Sequence, residues 1–354
     1  MSDLELISCW CGSGELIPFS EHYNRCSQCN TLVSRFRKTE DFYKGGDSTD
    51  DLYGKEYWTK HVKKLGFPDI YERSRSDLTE RSVYWLRSIL QYKLPPARTL
   101  ELGCAHGGSV YLQRQAGYDA SGAEMSNWLC EFARTTFDVP MYCGGIEKID
   151  VQPGTLDAVI FMDVLEHFPD PVQVLSRIVS TLKEDGIAVI QTPCWRSVAK
   201  TYHEMKADNE MFLLHLKEDE HLYLFNEDSV RLLLSRVGLT NVAFETPIFA
   251  YDMFIFAGKH PLTKHDKAEV SQTLMQDPYK RAILALLDTY NKLELCEEGA
   301  QTRIAELEMA LGKLQSELLT TRQHERSLDK VLNSFTWRLT APFRRICDKL
   351  RRDR

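Results

Sequence analysis

The sequence predicts an α/β protein: a central, mostly parallel sheet, preceded by a small cysteine-rich module and followed by a helical rod. Three observations lead there. Residues 98–258 alternate short β-type runs with helical patterns, as βαβ units do. Residues 1–40 hold four of the ten cysteines, in two close pairs. From Ile283 onward, apolar residues recur at 3-4 spacing. The 354 residues allow two or three domains, and 43% hydrophobic with 27% charged residues excludes a disordered or collagen-like chain. No run approaches about 18 apolar residues, which argues against a membrane span. The net charge of −7 disfavours a general nucleic-acid binder. The start, Met1-Ser2-Asp3-Leu4-Glu5, has no basic or long apolar region. It predicts a reducing, cytoplasmic setting, with cysteines as metal ligands or plain thiols.

The module at 1–40 reads Cys9-Trp10-Cys11, then Cys26-Ser27-Gln28-Cys29. Two tight turns, each offering two sulfurs, can close a tetrahedral zinc site. So small a module has little core, and metal binding would supply its folding energy. The expectation is a structural zinc ribbon held by Cys9, Cys11, Cys26 and Cys29. The segment carries four Lys/Arg against five Asp/Glu, so it lacks the basic face of a nucleic-acid reader.

Residues 41–97 are rich in aromatic and charged residues: Tyr53, Tyr57, Trp58, His61, Tyr71, Tyr84 and Trp85. Asp77 followed by Glu80 resembles a helix start, with Val83, Leu86 and Leu90 on one face. This predicts a helical lead-in whose aromatics are core, with a lid over a substrate as the sharper reading.

The domain at 98–260 opens on a strand ending in Glu101-Leu102-Gly103-Cys104-Ala105-His106-Gly107-Gly108. Glycines let a backbone approach a ligand closely, and the following helix start favours an anionic group. The spacing is not the dinucleotide fingerprint. Glu124 ends the next strand, 23 residues after Glu101, where a ribose-binding acid belongs. Ser126 then caps a helix to about Phe137. Further strands are expected at 140–143, at 156–162 before Asp163-Val164-Leu165-Glu166-His167, and at 186–192 before Pro193.

These motifs resemble class I S-adenosylmethionine-dependent methyltransferases. ELGCAHGG, GAE, DVLEH and the strand ending IQTP occur in that family's order. The resemblance implies a Rossmann-like seven-stranded sheet and S-adenosylmethionine as cofactor. Residue by residue, it implies that Glu101, Gly103, Ala105 and Gly107 line the methionine end. It implies that Glu124, with Met125 beside it, binds the ribose, that Ile146 and Glu147 flank the adenine, and that Asp163 closes the site. Ala105 stands where many members carry glycine, a substitution expected to cost little. The C-x-C…C-x-x-C ribbon ahead of this domain is similar to methyltransferases of bacterial polysaccharide and sugar biosynthesis. Glu220-His221-Leu222-Tyr223-Leu224-Phe225 and Tyr251-Asp252-Met253-Phe254 fit that subgroup.

A hydroxyl acceptor needs a base or a metal to remove its proton. His167, His221 and Glu166 are the candidates. Asp163, Glu166 and His167 also resemble the segment of ubiquinone O-methyltransferases that holds a divalent cation. The other reading of Glu166 and His167 is that they cap a helix beginning near Pro169. There is no Asn/Asp-Pro-Pro-Tyr segment, which argues against methylation of DNA base amines, and Pro193-Cys194 is weak support for RNA cytosine methylation.

Residues 261–336 predict a helical region and a coiled coil, strongest over Ile304–Leu318, with a weak point at Glu297 and Gly299. Its expected role is self-association. Residues 337–354 carry seven Lys/Arg and two Asp, a net +5, interleaved with Trp337, Leu339, Phe343, Ile346 and Leu350. They resemble a tail found on enzymes of polysaccharide gene clusters and suit the cytoplasmic face of a membrane. The function expected is O-methylation of a sugar in surface polysaccharide of the O-antigen or capsule type, with a glycan as partner. The alternatives are a zinc-ribbon RNA methyltransferase, a sugar C-methyltransferase, or a non-catalytic scaffold.

Overall fold

The computed structural model describes residues 4–5, 8–37, 54–64, 66, 68–145, 149–218 and 220–352. They form two compact units, Met1–Asp288 and Thr289–Arg354. In the first unit, the cysteine-rich module contributes three short strands, β1 (Leu16–Pro18), β2 (Tyr23–Cys26) and β3 (Leu32–Ser34). Tyr23, Leu32 and Val33 are buried, although the module has too few apolar residues to bury them by itself.

Two helices follow: α1 (Ile70–Asp77) and α2 (Val83–Tyr92). Asp69, not Asp77, starts the first of them, accepting the Glu72 N–H at 3.0 Å. Asp77 instead lies inside a continuous helical stretch and is buried, because cationic groups surround it. On α2, Tyr84, Trp85, Leu86, Ile89 and Leu90 are buried, as the core reading of the aromatics expects. Tyr53 lies outside the described residues.

The central sheet is built from β4 (Arg98–Leu102), β5 (Asp119–Glu124), β6 (Met141–Cys143), β7 (Leu156–Met162), β8 (Leu182–Pro193), β10 (Asn241–Glu245) and β11 (Asp252–Gly258). A two-residue strand, β9 (Tyr223–Leu224), belongs elsewhere. The order is β10-β11-β8-β7-β4-β5-β6. Strands β4 to β8 pair in parallel, and β11 runs antiparallel to both β8 and β10. This is the Rossmann-like seven-stranded sheet of class I methyltransferases. Helices α3 (Gly108–Ala116), α4 (Asn127–Phe137), α5 (Pro171–Thr181) and α6 (Glu227–Arg236) connect its strands. Ser126 caps α4 through the Leu129 N–H, and Asp170 rather than Glu166 or His167 caps α5.

Strand β9 leaves the central sheet and pairs antiparallel with β3, so the module's sheet has the order β9-β3-β2-β1. The catalytic half thereby lends a strand to the module. Three contacts reinforce the seam: Asn226 Nδ2 donates to the Asn30 carbonyl, Arg236 to the Cys11 carbonyl, and the Arg236 guanidinium lies 5.3 Å over the Trp10 ring.

In the first unit, Ile283 and Leu287 are buried. They begin one helix, α7 (Pro278–Leu332), of 55 residues. At 1.5 Å per residue its length is about 80 Å. It runs unbroken through Glu297 and Gly299. A single glycine costs only about 1 kcal/mol in a helix, so the expected weak point is not a break. Leu307, Leu311, Leu314 and Leu318 are exposed on it in the single chain. No helix among the described residues is long and apolar enough to cross a membrane.

Candidate active site and metal centre

The four ribbon cysteines converge. All are buried, and their sulfurs lie within 4.8 Å of one another. Cys9 Sγ is 3.5 Å from Cys29 Sγ, and Cys11 Sγ is 3.5 Å from Cys26 Sγ. A zinc–sulfur bond of about 2.3 Å in a tetrahedron sets sulfurs about 3.8 Å apart. The cluster is close to that size. The contact with Cys29 pushes the Cys9 thiol up, and the same contact pulls Cys29 down to about 5. Four thiolates so close repel one another unless a cation lies between them. The donor set therefore fits a structural zinc, which would tie the two turns together.

The remaining candidates gather at the carboxyl ends of β4, β5, β7 and β8. Parallel strands bring their C-terminal loops to one edge, where α/β proteins place ligands. The loop after β4 is shaped by three residues of positive φ: Gly103 at 64°, Ala105 at 46° and Gly107 at 80°. An added Cβ on Gly103 would come within 2.6 Å of Val164, so that position requires glycine. Ala105 is different from its expectation. Its methyl is held in the left-handed region, which costs an L-residue about 1–2 kcal/mol.

Glu124 is buried at the end of β5 and bridges the loop. It accepts the Ala105 N–H at 3.2 Å through Oε2 and the Ser126 N–H at 3.0 Å through Oε1. Burial raises its pKa. Met125 follows it, half-buried. Glu101 does not reach along the loop in the same way. Its Oε2 accepts both Ser109 Oγ at 2.6 Å and Gln113 Nε2 at 2.8 Å, tying β4 to the first turns of α3. Burial pushes it up to about 7. Ile146 and Glu147 lie outside the described residues.

The lead-in helices fix this loop and the opposite wall. His106 Nδ1 accepts the Gly108 N–H at 3.0 Å, so its Nε2 carries the proton and donates to Asp77 at 3.2 Å. Asp77 also pairs with Arg73 and Arg81. Burial alone would raise this carboxyl, but His106 and the two arginines hold it low. Trp85 Nε1 donates to Gln191 at 3.0 Å, and Gln191 Nε2 donates to Asp163 at 3.2 Å. Asp163 itself has φ 57°. Sequence reasoning missed both chains, whose members lie far apart in sequence. The 29-residue gap between Asp77 and His106 follows no local motif.

Beyond Asp163, Glu166, His167 and His221 come together. A carboxylate oxygen and one nitrogen of each imidazole lie within 4.8 Å of one another. The imidazole centroids are 4.9 Å apart. Each ring is oriented by the backbone: His167 Nδ1 donates to the Glu220 carbonyl and His221 Nδ1 to the His215 carbonyl, both at 2.7 Å. Glu166 accepts Thr192 Oγ1 at 2.9 Å. Burial lowers His167 to about 4 and puts His221 well below its ordinary value, so both rings are neutral at pH 7. Burial, then the charges of Asp163 and Asp252, push Glu166 up. Neutral imidazoles beside a carboxyl can accept a proton or ligate a small cation. Of the cation trio expected from sequence, Glu166 and His167 meet here with His221, while Asp163 accepts Gln191 through Oδ1.

Cys130 and Cys143 form a disulfide with Cα atoms 6.0 Å apart, against the expectation of scattered thiols. Helix α4 and strand β6 are neighbours, which sequence spacing did not show.

Residues 75–243 match the family model of a methyltransferase domain. The chain is 30% identical over 105 residues to a ubiquinone biosynthesis O-methyltransferase of Xanthomonas campestris pv. campestris, covering 28% of this chain and 44% of that protein. It is 28% identical over 105 residues to the protein of the same name from Neisseria meningitidis serogroup C, covering 27% and 43%. The chain thus spans less than half the length of these curated relatives. A crystal structure of magnesium protoporphyrin IX methyltransferase from Synechocystis PCC 6803 with bound SAH aligns at 16% identity, over 58% of this chain and 97% of that one, with a TM-score of 0.42. Residues 75–243, which hold β4 to β8 and the clustered site residues, are the part of the chain that is similar to a methyltransferase domain.

Two outcomes follow from the geometry. Purified protein should hold one zinc per chain by atomic absorption. Cys26→Ser should retain less than about a tenth of it and unfold at lower temperature. Ala105→Gly should be neutral or stabilising by up to about 1 kcal/mol in denaturant unfolding, because release of the left-handed methyl outweighs glycine's extra unfolded-state entropy. A loss above that size would show that Ala105 is unstrained.

Proposed function

We propose that this chain is an S-adenosylmethionine-dependent methyltransferase that O-methylates a sugar hydroxyl during surface-polysaccharide synthesis. The observation that carries the O-methylation is the meeting of Glu166, His167 and His221 at the strand edge of a methyltransferase domain. The sugar rests on the ribbon's resemblance to polysaccharide enzymes. A phenolic hydroxyl is the second reading, favoured by the curated relatives, which are named for ubiquinone biosynthesis.

The loop fits the cofactor. The positive φ at Gly103, Ala105 and Gly107 bares backbone for close approach, and the buried Glu124 at the end of β5 is placed to accept hydrogen bonds from ribose hydroxyls. S-adenosylmethionine, when bound, supplies the methyl group on a sulfonium. The chain's own residues do the rest. Gly103 and Gly107 let the loop close around the donor. The neutral imidazoles of His167 and His221 take the proton of the acceptor hydroxyl. Exclusion of water follows from burial of Glu166 and His221, 1% and 5% exposed. If the same three residues hold a divalent cation, it would lower the acidity barrier of that hydroxyl.

The exposed leucine seam of α7 serves self-association, and the basic residues 337–354 bring the enzyme to an anionic cytoplasmic membrane face. Nucleic acid is not the partner, since the ribbon lacks a basic excess.

His221→Ala and His167→Ala should differ: one loses at least about 100-fold in kcat while cofactor affinity by calorimetry is unchanged. The acid limb of kcat/KM should fall nearer pH 4 than 6.5, because burial keeps His167 neutral down to about 4. Full activity in both variants would remove the acid–base assignment. Mass spectrometry of surface glycan with and without the gene tests the substrate. Loss of one methyl increment from the glycan supports the sugar, and its retention there with a change in the quinone fraction supports the phenol.

A further inference from the structure

The site contains one more polar group, with nothing to hold it. Asp252 begins β11, opposite Pro193 at the end of β8, on the same strand edge as Asp163 and Glu166. It is 1% exposed, and neither carboxylate oxygen has a hydrogen-bond partner among the described residues. Burial, then the Asp163 charge, pushes its pKa up to about 8, and a buried carboxyl left without partners is destabilising unless a ligand completes it. A cation is at hand but is used otherwise. The Arg196 guanidinium donates to the backbone carbonyls of Ala250, at 2.9 Å, and Asp252. Asp252 feels the charge of Asp163, and Glu166 feels that of Asp252, so the three acids lie near one another at the strand ends.

The surroundings limit what completes it. Arg196 and Arg81 already supply positive charge, which disfavours a cationic ligand. Tyr251 and Phe249 stack with centroids 5.4 Å apart, and His215 lies 4.6 Å from Tyr251. These three rings are half-buried, not sealed. A carboxylate with two vacant oxygens beside half-buried ring faces suits a flat or weakly puckered ring bearing two adjacent hydroxyls. One hydroxyl can donate to each oxygen, and the ring lies on the aromatic faces.

We infer that Asp252 binds a vicinal diol of the methyl acceptor, accepting one hydrogen bond from each of two neighbouring hydroxyls. This rests on the hydroxyl-methyltransferase reading and deepens it: Asp252 selects the acceptor, while the histidine cluster acts on the hydroxyl that reacts. The diol chemistry is shared by sugars and catechols.

The test is binding to the full chain with S-adenosylhomocysteine present, followed by ligand-observed NMR. Tetrahydropyran-3,4-diol, a bare sugar-type ring, is compared with tetrahydropyran-4-ol, and catechol with phenol. The protein should bind the diol of one pair at least about 10-fold more tightly than its mono-ol, and the pair that does so identifies the source. Asp252→Asn should abolish that preference. Its melting temperature should be equal or higher, because the amide cannot ionise in the buried site. Asp252→Leu gives a second reading of stability. A purely structural carboxylate would instead lower the melting temperature on substitution and leave diol preference unchanged. That result overturns the inference, as does wild-type protein that prefers neither diol. Protein that prefers a diol but transfers no methyl group to any hydroxyl sinks the functional reading alone. Unchanged glycan methylation by Asp252→Asn sinks the diol inference alone.

Discussion

A single residue, Leu222, joins the parts on which the site depends. Its N–H donates to the Glu166 carbonyl at 2.8 Å, and its carbonyl accepts the Ser34 N–H at 2.9 Å. One neighbour along the chain, the His221 carbonyl accepts the Tyr23 hydroxyl at 2.7 Å. The next two residues are strand β9, paired to the ribbon. Three consecutive links therefore hold one segment between the ribbon and the end of β7. Remove the ribbon and His221 loses its outer support; remove the Glu166 contact and the two histidines need not meet. The backbone bonds on both sides are buried, where an unpaired group costs about 1–3 kcal/mol, so the register is strongly specified.

That constraint explains how a site so rich in buried acid stays folded. Asp163, Glu166 and Asp252 lie near one another, with desolvation raising each. Two of the three are restrained by neutral donors, Gln191 to Asp163 and Thr192 to Glu166. The chain Trp85–Gln191–Asp163 reaches back to the lead-in helix, so the acid cluster is supported from behind by a rigid, buried element. On the other side, the Asp77 network anchors the glycine loop through His106. The lead-in is thus a foundation for both halves of the site, and charged groups at its surface, Arg73 and Arg81, also act on Asp163.

The features read easily from sequence are those with local causes. Strand β7 falls at 156–162 as its apolar run requires, Ser126 caps α4, and the two cysteine pairs converge because each lies on a tight turn. The glycine loop and Glu124 sit at neighbouring strand ends because βαβ connections place them there. What was not legible depends on distance in sequence. The position of Glu101 at the end of β4 is local, but its bonds to Ser109 and Gln113 of α3 are not visible in the sequence. Asp163 was grouped with Glu166 and His167 because they are adjacent in the chain. In space the third member is His221, 54 residues after His167, brought there by the Leu222 links. Ala105 was read as an inexpensive change because a sequence does not display its φ of 46°. Glu297 and Gly299 read as a weak point because propensity is local, while a long helix is cooperative.

The neutral ribbon also has a physical explanation in this arrangement. A ribbon that reads nucleic acid needs a free, basic surface. Here one strand edge is occupied by β9, and Arg236 engages Trp10 and the Cys11 carbonyl from the neighbouring helix α6. The buried faces of Tyr23 and Leu32 pack with Trp195, Met205, Phe212 and Leu224 of the catalytic half. These residues flank the segment that carries His215 and His221. The ribbon's apolar surface is therefore committed to the segment that carries His215 and His221, and a metal held by the four cysteines would be a compact means of fixing three short strands against it. The ribbon reaches the histidine cluster through the Tyr23 hydroxyl, which donates to the His221 carbonyl.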